Sequence, residues 1–265
     1  MPFTFLAHQA PFLSVARKHR TRIDPVTLLV GTMAPDFAYV LNDTRFHLWA
    51  HDLPWLVTFC VPVTLAVSWL VVRVVAPVVP DQLPPRGGFA FADYRAVAGH
   101  RFGLVRSPSS ALAGAVTHVL LDHLTHAWGW PARHVAWYRR PIMSPRYLGK
   151  VWAPFEIMQF LGHVGLSALA LVVLWRWGRS SWLAGAARRV QPYPVSARSR
   201  SVFFAVVAVG ALLSVGWVVA HPHEESGDVM RAAAGVFAAI VVGALLLRGL
   251  PEWRRRGPFG QRAAT

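Results

Sequence analysis

Four stretches of this chain are long and sparsely charged: Leu53–Val79, Phe155–Trp177, Val202–Ala220 and Val229–Leu250. Each reaches the roughly 17–25 residues that a helix needs to cross the hydrocarbon of a bilayer. Inside hydrocarbon every backbone donor and acceptor has to be satisfied within the protein, so such stretches commit the chain to helices. Composition agrees: 54% of the residues are hydrophobic and 15% are charged, where soluble domains carry about 25%. The expected fold is all-α, a polytopic membrane helical bundle. Pro62 and Arg73 interrupt the first stretch, and Pro62 with Trp55 suits a kinked span with an interfacial aromatic. The last two stretches form a transmembrane hairpin that reads as an anchor, with Ser214 the polar residue of its interior.

The net charge is +15. The arginines stand between the apolar stretches instead of along one stripe, which points to positive-inside anchoring and away from nucleic acid. By that bias the 178–201 loop and the tail with Arg254, Arg255 and Arg256 are cytoplasmic, and the acidic turn at 221–228 is external. Near the start, Arg17, Lys18, Arg20 and Arg22 follow the apolar residues, the reverse of a signal peptide. Cys60 is the only cysteine, so neither a disulfide framework nor a thiolate metal site is available. The 12 histidines are the remaining strong ligands.

Polar residues inside apolar sequence are what need explaining. His118, Asp122 and His126 recur every four residues along an apolar helix from Ala111 to His126, so they share one slowly drifting stripe. A metal ion would neutralise the carboxylate and take an imidazole lone pair; a buried ion pair or a helix-end cap is the alternative. Upstream, Asp24 caps a helix that Pro25 begins. That helix runs to about Leu41 and meets Pro35, where it kinks or ends beside Asp36. Asp36 is then either a site residue or the cap of a second short helix. The 42–52 loop holds His47 and His51, again four apart. The 80–110 linker carries a short amphipathic helix near Gly88–Val97. Residues 127–154 are aromatic and basic, including Trp128, Trp130, Trp137, Tyr138, Arg139, Arg140, Arg146, Tyr147 and Lys150. They suit an interfacial belt, a phosphate-binding flap with Arg139 and Arg140 as anion partners, or both. Glu156, Gln159 and His163 share a face of the next span, where polar residues turn toward the bundle interior.

Imidazole and carboxylate without thiolate suit a divalent metal, zinc first, with iron, manganese or magnesium as alternatives. The opening residues through His8, the run Gly31-Thr32-Met33-Ala34-Pro35-Asp36, His51 ahead of a proline-bearing span, and the run from Thr117 to Trp130 resemble a bacterial family of uncharacterised membrane proteins. Its relatives are described as metal-dependent hydrolases of the inner membrane, the LexA-regulated group among them. The likeness covers roughly residues 1–177. The order His, Asp, His, His-x-x-x-Asp, His is also similar to that of zinc-dependent phospholipase C and the S1/P1 nucleases. Gln159 and His163 stand where that order carries a second His-x-x-x-Glu pair.

These resemblances imply a phospholipase C-like helical core over 1–177; charge and hydropathy add a basic cytoplasmic loop over 178–201 and a transmembrane hairpin and basic tail over 202–265. The resemblances imply His8, Asp36, His51, His118, Asp122 and His126 as ligands of one to three ions, with Asp122 bridging two of them; the basic segment adds Arg139 and Arg140, expected to serve beside Asp122 in catalysis as anion partners. The expected function is a multi-pass hydrolase of the bacterial inner membrane, cleaving a lipid or isoprenoid phosphoester with metal-activated water. A metal-dependent lyase or cyclase acting on a prenyl diphosphate and a non-catalytic metal-binding protein are the alternatives.

Overall fold

The computed structural model describes residues 4–142, 152–222 and 225–250. About 74% of the described residues are helical, with no strand among them. Four helices are long and apolar enough to cross a membrane: Leu53–Val75, Pro154–Trp177, Ala197–Ala220 and Gly227–Gly249. They match the four stretches read from sequence, and the chain is a multi-pass membrane protein. Arg146, Tyr147, Lys150 and the arginines of the tail lie outside the described residues.

The eight principal helices are α1 (Thr4–Lys18), α2 (Pro25–Gly31), α3 (Ala34–Leu41), α4 (Leu53–Val75), α5 (Arg106–Thr125), α6 (Pro154–Trp177), α7 (Ala197–Ala220) and α8 (Glu225–Gly249). Asp24 caps α2 as the sequence indicates, its carboxylate accepting from the Val26 and Thr27 amides at 3.1 Å. The Pro35 break is a full stop. Helix α2 ends at Gly31, and a separate 3-10 helix, α3, starts at Ala34 with Asp36 in its first turn. Pro62 disturbs α4 from ahead of itself. Its ring would press on the carbonyl four residues earlier, at Thr58, and the residues Leu56–Cys60 widen into a π turn.

The chain forms two compact units. The first comprises residues 1–38, 48–65 and 102–173. Its apolar core joins Ala34 and Ala38 of α3, Leu56 and Cys60 of α4, and Ala115 and Val119 of α5, with Ala50 between. Helices α2 and α5 cross at backbone contact. A Cβ on Gly31 would stand 2.5 Å from the Ala111 carbonyl oxygen, and one on Gly114 would stand 2.4 Å from that of Leu28. Neither position has room for any side chain. The crossing is locked at one end by Asp24, which accepts from the Ser107 hydroxyl and donates its amide to Ser110 Oγ.

The second unit comprises residues 39–47, 66–101 and 174–265. Helices α7 and α8 pack together as its hairpin. Asp81 pairs with Arg95 at 2.7 Å and accepts from the Tyr193 amide at 2.7 Å. This ties a 3-10 helix at Phe91–Gly99 to the segment that enters α7. The basic 178–201 loop contains a short helix at Ser181–Ala187. Within this hairpin Arg231 lies inside the last candidate span and holds specific partners.

Candidate metal centre

Helix α5 supplies the base of the site. Its buried face mixes small, apolar and polar residues: Ser107, Ser110, Ala111, Gly114, Ala115, His118, Val119 and Asp122. The α2–α5 crossing sets the orientation of His118. Contact at Gly31 and Gly114 brings Thr32 over α5, and the Thr32 carbonyl accepts a hydrogen bond from His118 Nδ1 at 2.8 Å. A carbonyl can only accept, so Nδ1 carries a proton. Nε2 is left to face the interior as the metal-binding nitrogen. A histidine fixed through its far nitrogen is the usual support for a metal-binding ring.

Two carboxylates and a second imidazole meet that nitrogen. His118 Nε2 lies 3.2 Å from Asp122 Oδ2 and 3.4 Å from Asp36 Oδ1. His51 Nε2 lies 3.3 Å from Asp122 Oδ2 and 3.9 Å from Asp36 Oδ1. Asp36, His51, His118 and Asp122 are all buried, and one ligand atom from each lies within 4.8 Å of all the others. Asp36 arrives from the first turn of α3, and His51 from the turn ahead of α4.

The distances separate two explanations of this cluster. Charge-assisted hydrogen bonds between nitrogen and carboxylate oxygen run about 2.7–2.9 Å. Four ligands at about 2.0–2.1 Å from one ion are about 3.3 Å from each other, the edge of a tetrahedron. The spacings of 3.2, 3.3 and 3.4 Å sit with the second value, and His51 with Asp36 is wider at 3.9 Å. His118 Nε2 also has no hydrogen bond of acceptable geometry, despite two carboxylates nearby. The donor set therefore fits a divalent cation.

Electrostatics agrees with the geometry. Burial by itself raises the Asp36 and Asp122 carboxyls, but His118 beside them reverses this and holds both below the usual carboxylate range. Burial alone lowers the His118 imidazole; the two carboxylates overcome it and push the ring up to about 10. Without a metal, a proton therefore occupies the nitrogen that points into the cluster. One imidazolium offsets only one of two buried carboxylates, and a divalent cation would offset both.

His8 of α1 lies against this group. Its ring stacks on His118 with centroids 3.9 Å apart, and its Nε2 is 3.5 Å from Asp122 Oδ1. Burial first, and then the His118 charge, lowers His8 to about 4, so the stacked pair carries one positive charge, on His118. His8 is adjacent to the four-atom group without being one of its members.

His126 is placed differently. Its Nδ1 donates to the Asp122 carbonyl at 3.1 Å, and its Nε2 lone pair accepts from the Gln159 amide at 2.8 Å. It is not part of the four-atom group. Its drift around α5 carries it toward α6. His47 is exposed, and His51 is the loop histidine that turns inward. Arg139 and Arg140 are exposed at the end of the short helix Ala136–Arg139, which the Tyr138 hydroxyl ties to the Leu124 carbonyl at 2.6 Å. Glu156 caps the start of α6 by accepting from the Ala153 amide at 2.9 Å. His163 is buried on α6, its ring centroid 6.2 Å from that of His8.

Two contributors escaped the sequence reading. The Thr32 carbonyl has no side-chain signature; only the glycine pair at Gly31 and Gly114 hinted at a close crossing. Trp128, counted as one of a belt, packs edge-on to His51 at 6.0 Å and to His123 at 4.6 Å, with Trp49 beside it at 6.3 Å. The rings form an aromatic wall on the His51 side of the cluster.

Residues 1–248 match the family described as "Domain of unknown function (DUF4184)", and the chain belongs to that family. Comparison with curated proteins and with solved structures gives no match.

Proposed function

We propose that this DUF4184 member is a metal-dependent hydrolase of the bacterial inner membrane, acting on a lipid or isoprenoid phosphoester. The observation that carries the reading is the buried group Asp36, His51, His118 and Asp122, with ligand atoms at tetrahedral-edge spacing. Zinc suits this donor set best, and iron, manganese or magnesium are the alternatives. A divalent ion held there supplies a Lewis acid for a phosphoryl oxygen and lowers the pKa of water.

The chain's own residues take complementary roles. Thr32 fixes the His118 tautomer through Nδ1. Asp122 offers Oδ2 to the group and leaves Oδ1 toward His8 and His126, the arrangement by which one carboxylate serves two ions. His8 and His126 are the ligands proposed for further ions. The Trp49–Trp128 wall excludes water on one side. Arg139 and Arg140 are proposed to reach phosphate oxygens from the exposed segment after α5. All of these residues fall within 1–177, the proposed metal-binding domain.

Two further readings have specific support. Four protein ligands saturate a tetrahedral zinc, as in structural sites, which favours a non-catalytic metal protein. The aromatic wall beside the cluster suits a carbocation, which favours a lyase or cyclase acting on a prenyl diphosphate. One experiment separates the three. The protein, purified in lipid nanodiscs and metal-loaded, is incubated with phosphatidate and with prenyl diphosphates, and products are identified. Release of inorganic phosphate, lost in His118→Ala and Asp122→Ala together with the metal, is the result expected. A rearranged hydrocarbon supports the cyclase. Metal without turnover supports the structural role. A metal-free protein whose variants behave like wild type overturns all three.

A further inference from the structure

Arg231 stands one turn into α8, inside the candidate span Gly227–Gly249. A charged side chain at such a position turns inward and holds a partner. Arg231 holds three. Its Nε donates to the Val40 carbonyl at 3.2 Å, its Nη2 donates to the Asn42 carbonyl, and its Nη1 lies 3.2 Å from Asp228 Oδ1. Asp228, one turn back on the same helix, offsets the charge. The two carbonyls belong to the end of α3 and the residue just beyond it.

That end needs support. The last carbonyls of a helix have no intrahelical partner, and the backbone dipole leaves them negative. Helix α3 is a 3-10 helix of 8 residues, where runs beyond about 3–4 are uncommon because the hydrogen bonds are poorly aligned. Gly227 lets α8 approach the same place: a Cβ there would stand 3.1 Å from the Tyr39 carbonyl oxygen. The other end of α3 carries Asp36.

We propose that Arg231 is a positioning residue for the metal centre. Its guanidinium clamps the carbonyl end of α3 and so fixes the rotation and rise of the helix that presents Asp36. It acts through α3 and touches no ligand. The proposal rests on the metal reading above.

Cobalt(II) binding to the full-length chain in nanodiscs tests it, because visible absorption reports ligand geometry directly. The variants are Arg231→Gln, Arg231→Lys and, as a control, Tyr193→Phe. The control removes the Tyr193–Leu247 hydrogen bond of 2.8 Å and leaves α3 alone. Arg231→Gln is expected to weaken cobalt binding about 10–100-fold, the range for residues that orient ligands, and to shift the visible bands. Arg231→Lys, with a single point donor, recovers part of the loss. Tyr193→Phe keeps wild-type affinity and bands. Wild-type bands and affinity in Arg231→Gln overturn the proposal, as does an equal loss in Arg231→Gln and Tyr193→Phe. If Arg231→Gln does not purify, Arg231→Lys decides alone, and wild-type behaviour there overturns the proposal. A wild-type chain that takes up no cobalt overturns the metal reading itself, a separate and recognisable outcome.

Discussion

Helices α5 and α7 are similar in length, 20 and 24 residues, and opposite in what they bury. In α7 only 6% of the most apolar window is buried, and Leu212, Leu213 and Val219 are each about 70% exposed. In α5 the leucines at 120 and 124 face outward, while His118 and Asp122 are buried. The rule of soluble helices, apolar inside and polar outside, is broken in α5, where His118 and Asp122 share the buried face with Ala111, Ala115 and Val119. The association of α2 with α5 rests on close backbone packing at Gly31 and Gly114 and on polar contacts such as Asp24 with Ser107 and Ser110. The apolar surface of α7 records the solvent it expects; the polar seam of α5 records what the interior holds.

The difference is open to direct attack. Gly114→Val in α5 places atoms where the Leu28 carbonyl already stands. It is expected to cost about 3 kcal/mol or more, whereas Leu212→Ala in α7 is expected to stay within about 0.5 kcal/mol. Thermal unfolding in one detergent compares the two, and equal losses would erase the distinction. Next in size, Leu212→Arg should cost about 2.5–3.5 kcal/mol of insertion free energy. A glycosylation-mapped insertion assay reads this, and unchanged insertion would mean that α7 does not face hydrocarbon.

A pH experiment sharpens the account of α5. His118 has its pKa raised to about 10 in the metal-free fold, from an ordinary 6.5. The native state therefore holds that proton more tightly than the unfolded chain. The resulting stabilisation is complete below pH 6.5 and is lost as pH rises through about 10. Melting temperatures of the metal-free chain should fall across that window. The metal-loaded chain, with Nε2 engaged by the ion, should not show this decline, and the same fall with and without metal would detach His118 from the ion. The smallest effect expected is that of His126→Ala. With its lone pair turned to Gln159, it should weaken metal binding only about 10-fold, in the range of supporting residues. A loss as large as that of His118→Ala, measured by metal titration, would place His126 among the ligands of the first ion instead of a further one.

Much of this was legible in the sequence, and the reasons are physical. Spans follow from apolar run length, so the four were found with boundaries shifted by a few residues. Asp36, His118 and Asp122 stood out because carboxylate and imidazole in apolar sequence need a partner. The choice between His47 and His51 was hidden, since four-residue spacing in a loop fixes no common face. His126 looked equivalent to His118 by spacing, but α5 ends at Thr125 and the chain turns away there. Arg231 was passed over because one charge near the start of a long apolar run resembles a boundary residue; its partners come from 189 and 191 positions away.

The central claim is that Asp36, His51, His118 and Asp122 hold one divalent cation. Elemental analysis of the chain purified in nanodiscs, beside Asp122→Asn and His118→Ala of the same fold and purity, tests it most directly. At least one divalent ion per chain in the wild type, surviving extensive dialysis and absent from both variants, is the result predicted. A wild type as metal-free as the two variants, even after incubation with zinc, manganese and iron, would contradict it.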